Sequence, residues 1–107
     1  MKGYQLTFFT IQGRHHGMTS VATWLVELAR ELGLHGATSF TGSIGFGHHR
    51  HFHSAHFIEL TDQPVEVTMV VTEEECDRLF ARLAQEKVSL FYTKASVEFG
   101  SVGLLVE

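Results

Sequence analysis

The sequence predicts an α+β fold in which one antiparallel sheet carries two helices on the same face. Three observations lead there: two stripes of helical period, extended segments before, between and after them, and the order β-α-β-β-α-β along the chain. A length of 107 residues is that of one domain, expected to span 1–107.

Residues 4–11 have apolar side chains on both parities, Leu6 and Phe8 against Phe9 and Ile11, as a central strand covered above and below requires. Arg14-His15-His16-Gly17 is a polar loop. From Val21 the period becomes helical, with Val21, Trp24, Leu25, Leu28, Ala29 and Leu32 on one stripe. Thr19 or Ser20 can cap its start, and Gly33 supplies a left-handed stop. A second strand is expected over 36–46, with Phe40, Ile44 and Phe46 on one parity and Gly42, Gly45 and Gly47 near its end. Residues 57–60 look extended, and Thr61-Asp62-Gln63-Pro64 is a turn or bulge. Val65, Val67, Met69 and Val71 then alternate with their neighbours, the clearest strand in the chain. Thr72-Glu73-Glu74-Glu75 has the form of a capping box, with three acids at the positive end of a helix. Cys76, Leu79, Phe80 and Leu83 make that helix's apolar face, and Glu74 and Arg78 are an i,i+4 pair on its wet one. The last strand is expected over 90–99. This order is that of the ferredoxin-like split βαβ unit.

The topology has two functional consequences. Right-handed crossovers put both helices on one sheet face and leave the other bare. Because the first and last strands carry bulky residues on both parities, that bare face reads as a large apolar patch, and self-association is the expected cover. The loops 12–18, 45–53 and 85–88 also emerge at one end. Seven of the eight histidines, with Arg14 and Arg50, are thus expected at that end, and His35 at the other.

Composition removes several function classes. A net charge of -4 opposes a sequence-independent grip on nucleic acid, and no nucleic-acid partner is expected. One cysteine excludes an internal disulfide and a Cys-rich zinc site. The apolar runs are too short to span a membrane and the first residues lack a signal-peptide profile, so a cytoplasmic protein is expected. The chain offers no nucleophile–base–orienter set, and no enzyme is expected. Cys76 falls on an apolar stripe and reads as core.

The strongest chemical signal is His48, His49, His51, His53 and His56. On an extended chain His49, His51 and His53 share a face at steps of ~6.6–7 Å, a spacing that can chelate a divalent metal. Protonated, the same rings beside Arg14 and Arg50 would hold phosphate or carboxylate. A solvated loop with no ligand stands beside both readings. Gly42, Gly45 and Gly47 fit either a close approach of backbone to a ligand or a bulge that turns the strand.

With these segments in place, a family resemblance is specific. Gly36-Ala37-Thr38-Ser39-Phe40-Thr41-Gly42-Ser43-Ile44-Gly45-Phe46-Gly47-His48, followed by Val65-Glu66-Val67-Thr68-Met69-Val70-Val71, resembles the PII superfamily of trimeric signalling proteins. The opening residues 1–11, the string His48-His49-Arg50-His51-Phe52-His53-Ser54 and the Phe91-Tyr92 strand resemble its small uncharacterised branch. The resemblance implies a homotrimer whose sheets line an inner barrel, with adenine nucleotides (AMP, ADP or ATP) in clefts between subunits. It also implies a loop, here 45–56, that engages a membrane transporter or other target protein. Carried over by position, Gly45, Phe46 and Gly47 form the base of that loop, Val70 and Val71 end strand three, and 88–92, including Phe91, begin strand four. His48, His49, Arg50 and Arg14 complete the candidate ligand set as anion contacts. One departure is expected to matter. PII proteins hold phosphates with a glycine- and lysine-rich loop after the second helix, whereas here that stretch is Ala84-Gln85-Glu86-Lys87-Val88, with no glycine. Ligands with fewer phosphates are favoured accordingly. The alternative reading is a metal-handling trimer similar to the CutA type, with His49, His51 and His53 as ligands.

Overall fold

The computed structural model describes residues 1–42, 44–45, 53–54 and 62–103. Its elements are β1 (Lys2–Ile11), β2 (His15–His16), β3 (Thr19–Ser20), α1 (Val21–Glu31), β4 (Thr38–Thr41), β5 (Ile44–Gly45), β6 (His53–Ser54), β7 (Pro64–Val71), α2 (Glu73–Gln85) and β8 (Phe91–Glu98). The main sheet has the order β4-β7-β1-β8 and is antiparallel throughout. The expected β-α-β-β-α-β plan is present, with β2–β3 and β5–β6 as two small added hairpins.

The core forms where one face of the sheet meets the helices. On β7, Val65, Val67, Met69 and Val71 are buried while the residues between them are not. That is the period of two that a sheet covered on one side imposes. Leu6 and Phe8 of β1 join them, and Val21, Leu25 and Leu28 of α1 with Cys76, Leu79 and Leu83 of α2 close the layer. Each fully buried aliphatic side chain contributes about 1.5–3 kcal/mol.

Both helices end on hydrogen bonds that sequence alone assigned in part. Ser20, not Thr19, caps α1, accepting from the Thr23 amide at 3.1 Å. Gly33 takes φ +73° while its N–H and that of Leu34 return to the carbonyls of Arg30 and Ala29, a Schellman stop. The capping box of α2 is complete. The Thr72 hydroxyl accepts from the Glu75 amide at 3.1 Å, and the Glu75 carboxylate accepts from the Thr72 amide at 2.8 Å. Arg78 departs from expectation. It does not pair with Glu74; it donates to the Leu32 carbonyl of α1 at 3.2 Å, satisfying an end group that has no partner within its own helix.

The bare face also differs from the expected uniform apolar patch. One of its rows is Phe40, Glu66, Phe9 and Phe91 in succession across four strands, with Phe40 57% and Phe91 67% exposed. The next row is Thr38, Thr68, Thr7 and Thr93, in which the Thr7 and Thr68 hydroxyls lie 3.3 Å apart. Hydroxyls interrupt the patch midway along the sheet.

Candidate functional site

The C-terminal ends of β1 and β4 lie at one pole, because both strands run alongside β7 in the same sense. The chain leaves β1 through a small hairpin in which His15 pairs with Ser20 and His16 with Thr19. Its bend uses Gly17 at φ +64°, a conformation that residues with a Cβ adopt at a cost. The Arg14 carbonyl accepts from the Val21 amide at 2.8 Å, which ties the hairpin to the start of α1. Met18 is fully exposed at its tip.

His16 is the best-held histidine of this pole. Its Nε2 lies 3.0 Å from the Glu86 carboxylate just past α2, and its ring sits 4.4 Å from that of Trp24. Arg82 extends the connection, 3.9 Å from Glu86 and 3.4 Å from Glu31 of α1. His15 instead holds its own loop, with Nδ1 2.8 Å from the Gly13 carbonyl. The expected meeting of loops 12–18 and 85–88 is therefore present as a contact between side chains. Glu86 and Trp24 were not among the site residues read from the sequence. Their signal was available in the topology, which brings these loops together, but not in any local motif.

The connection from α2 to β8 is closed by the same kind of stop as α1, with lysine in the place of glycine. Lys87 adopts φ +57°, its amide donates to the Ala84 carbonyl at 3.1 Å, and the Val88 amide donates to the Leu83 carbonyl at 3.1 Å. The Glu86 amide donates to the Arg82 carbonyl. Three successive amides are thus committed to finishing the helix and are not presented to a ligand. Beyond them opens a groove of about 260 Å³ between α2 and β8, walled by Phe8, Phe80, Leu83, Val88, Leu90 and Tyr92. Phe80 and Tyr92 meet edge to face at 4.9 Å, a favourable arrangement of aromatic rings.

The other residues singled out in the sequence divide. Arg14 and Phe91 stand at this pole, Phe91 on the bare face beside Phe9 at 5.5 Å between ring centres. Val70 and Val71 lie at the far end of β7, opposite Gln5 and Tyr4, about 23 Å along the strand from Ile11. Val71 is fully buried against the helices. One chain does not bring these valines to Arg14. Gly45 and His53 pair in the β5–β6 hairpin, whereas Phe46, Gly47, His48, His49, Arg50 and His51 fall outside the described residues. Among the described residues, no three metal-ligating side chains gather at one point. His35 is at the opposite pole as expected, 3.9 Å from Glu75 and edge-on to Phe99 at 5.7 Å. There a second groove, about 410 Å³, is lined by Lys2, Tyr4, Glu73, Ser96 and Glu98.

Residues 3–98 match DUF190, described as "Uncharacterized ACR, COG1993". The chain belongs to the DUF190 family. No curated protein matches it in sequence. Among solved structures it is similar to CPII, a nitrogen regulatory PII-like protein from Thiomonas intermedia K12, bound to ADP, AMP and bicarbonate. There the TM-score is 0.67 at 17% identity, over 94% of this chain and 91% of that one. The apo form of CPII gives 0.63 at 15% identity over 95% and 96%. A putative PII-like signaling protein from Thermus thermophilus gives 0.62 at 19% identity over 91% and 88%. This DUF190 chain therefore has the PII-like fold. No helix among its described residues is long and apolar enough to cross a membrane.

Proposed function

We propose that this DUF190 protein is a PII-like regulator. In this reading it assembles as a homotrimer, binds an adenine nucleotide between copies, and signals through residues 45–56 to a partner protein. The observation that carries the ligand side is the makeup of one pole. An aromatic groove lies at the α2–β8 connection, and the Arg14–His16 loop is joined to that connection through Glu86. Aromatic walls suit a purine base, and arginine with histidine suits a phosphate. That CPII is bound to ADP and AMP supports the ligand class. In this reading a ligand bound at the pole where β4 ends biases the segment 45–56, which follows β4 in the sequence.

The committed amides of Glu86, Lys87 and Val88 support a ligand with few phosphates. A phosphate cradle needs backbone N–H groups pointing at the anion, and these point back into α2. Calorimetry with AMP, ADP and ATP tests this, with emission of Trp24, the chain's only tryptophan, as an independent readout at the pole. AMP or ADP is expected to bind at least as tightly as ATP. A strong preference for ATP overturns the few-phosphate reading, and binding of none of the three overturns the ligand class. Light scattering is expected to give about three times the 12.0 kDa chain mass.

A further inference from the structure

One carboxylate stands where the aromatic groove meets the Arg14–His16 loop. Ala84 and Val88 both wall the groove, and Glu86 lies midway between them on the α2–β8 connection. Its Oε1 accepts from His16 Nε2 at 3.0 Å; a carboxylate can only accept, so the ring carries the proton of this bond. Both side chains remain accessible, His16 29% and Glu86 33% exposed, and the bond is open to a competing anion. The Trp24 ring lies 4.4 Å from the imidazole. Arg82, 3.9 Å from the other oxygen of Glu86, is shared with Glu31 at 3.4 Å.

We propose that Glu86 is the specificity-determining residue for phosphate number. Its carboxylate holds His16 in the place of a ligand's first phosphate and repels the phosphates that follow. This rests on the nucleotide reading above. A base seated against Phe80 and Tyr92, with its phosphate at the Arg14–His16 loop, bridges the connection that carries Glu86. The first phosphate gains His16 Nε2 only by displacing the carboxylate, an exchange of one anion for another on the same donor. Arg82, four residues earlier on α2, can keep the displaced carboxylate paired.

Each further phosphate brings negative charge toward that carboxylate. The cations that the described residues place at this pole, Arg14, Arg82 and Lys87, attract every phosphate; Glu86 adds a repulsion that grows with phosphate number. This cause is separable from the committed amides of Glu86, Lys87 and Val88, which withhold attraction but do not repel. If the amides alone matter, neutralising Glu86 leaves the relative affinities of AMP and ATP where they were. If the carboxylate selects, every nucleotide gains and ATP gains most, at about threefold for each added charge and so about tenfold relative to AMP. The exchange also moves a neighbour of Trp24, the chain's only tryptophan.

The test is calorimetry with AMP, ADP and ATP on wild type, Glu86→Gln, Glu86→Ala and Glu31→Gln, with Trp24 emission recorded alongside and folding checked by far-UV circular dichroism. Glutamine keeps the shape of the side chain and can still accept from His16; alanine removes it. In both Glu86 variants ATP is expected to gain about tenfold relative to AMP, with ADP between them. Glu31→Gln removes the same charge from the other partner of Arg82 and is expected to leave the relative affinities as in wild type. Relative affinities unchanged in both Glu86 variants, or changed as much by Glu31→Gln, overturn the proposal and leave the nucleotide site standing. So does a loss shared equally by the three ligands, which is the mark of a purely structural tie, and so does a wild type that already prefers ATP. Binding of none of the three by any of the four proteins overturns the nucleotide reading itself.

Discussion

Gly3 shows how little room a single position on β1 has. A Cβ built there would collide with the backbone carbonyl of Val71 and lie 2.9 Å from the Phe99 ring. The obstacle is a neighbouring strand's backbone, which cannot swing aside as a long side chain can. Gly3→Ala is expected to destabilise by about 1–3 kcal/mol, read as a lower urea midpoint with an unchanged slope. Cys76 makes a different demand. Burial pushes its thiol up, Lys94 opposes this, and Asp77 and Glu73 reinforce it. A raised native value means the folded chain holds the thiol proton where the unfolded chain has released it. The stabilisation from the neutral thiol is therefore present below the ordinary cysteine range and is lost as pH rises above it. Alkylation at pH 8 is expected to be slow until urea unfolds the chain. Rapid modification of the native protein would contradict this burial.

α2 is the element where local rules and tertiary contacts divide most clearly. Its start was legible, because Thr72 and Glu75 have only each other's backbone to satisfy and lie three residues apart. Its end was not, because a lysine in the left-handed region runs against residue preference and is held there by bonds to Ala84 and Leu83. Lys87→Gly relieves that conformation and is expected to add about 0.5–1 kcal/mol, measured as a raised melting temperature. No gain would show that the lysine side chain contributes as much as the backbone loses. The alternating valines of β7 and the stripe of α1 were equally plain, since burial on one face writes its period into the sequence. Arg78 escaped because its partner is a carbonyl on the other helix, 46 positions away, and His16 because Glu86 is 70 positions away. Pattern reads neighbours along the chain, whereas these bonds depend on how the elements dock. Of the candidate ligand set, Arg14 and Phe91 came to one pole as the strand directions imply. The separation of Val70 and Val71 from them reflects the length of β7.

At the scale of the whole molecule, the two exposed phenylalanines should matter for assembly more than for folding. Phe91→Lys places a charge on an edge strand that carries no core residue, so far-UV circular dichroism and the urea midpoint are expected to stay near wild type. The scattering mass is expected to fall toward that of one chain, since a cation among apolar neighbours loses its water on association. A trimer undiminished by Phe91→Lys would move the contact to another part of the face. The alternation along β7 also dictates where the gene can gain or lose codons. Deleting one residue inside this strand would turn Glu66 and Thr68 toward the helices and push valines into solvent, inverting the wall that β1, α1 and α2 all lean on. Length variation among related chains is therefore expected to spare Pro64–Val71.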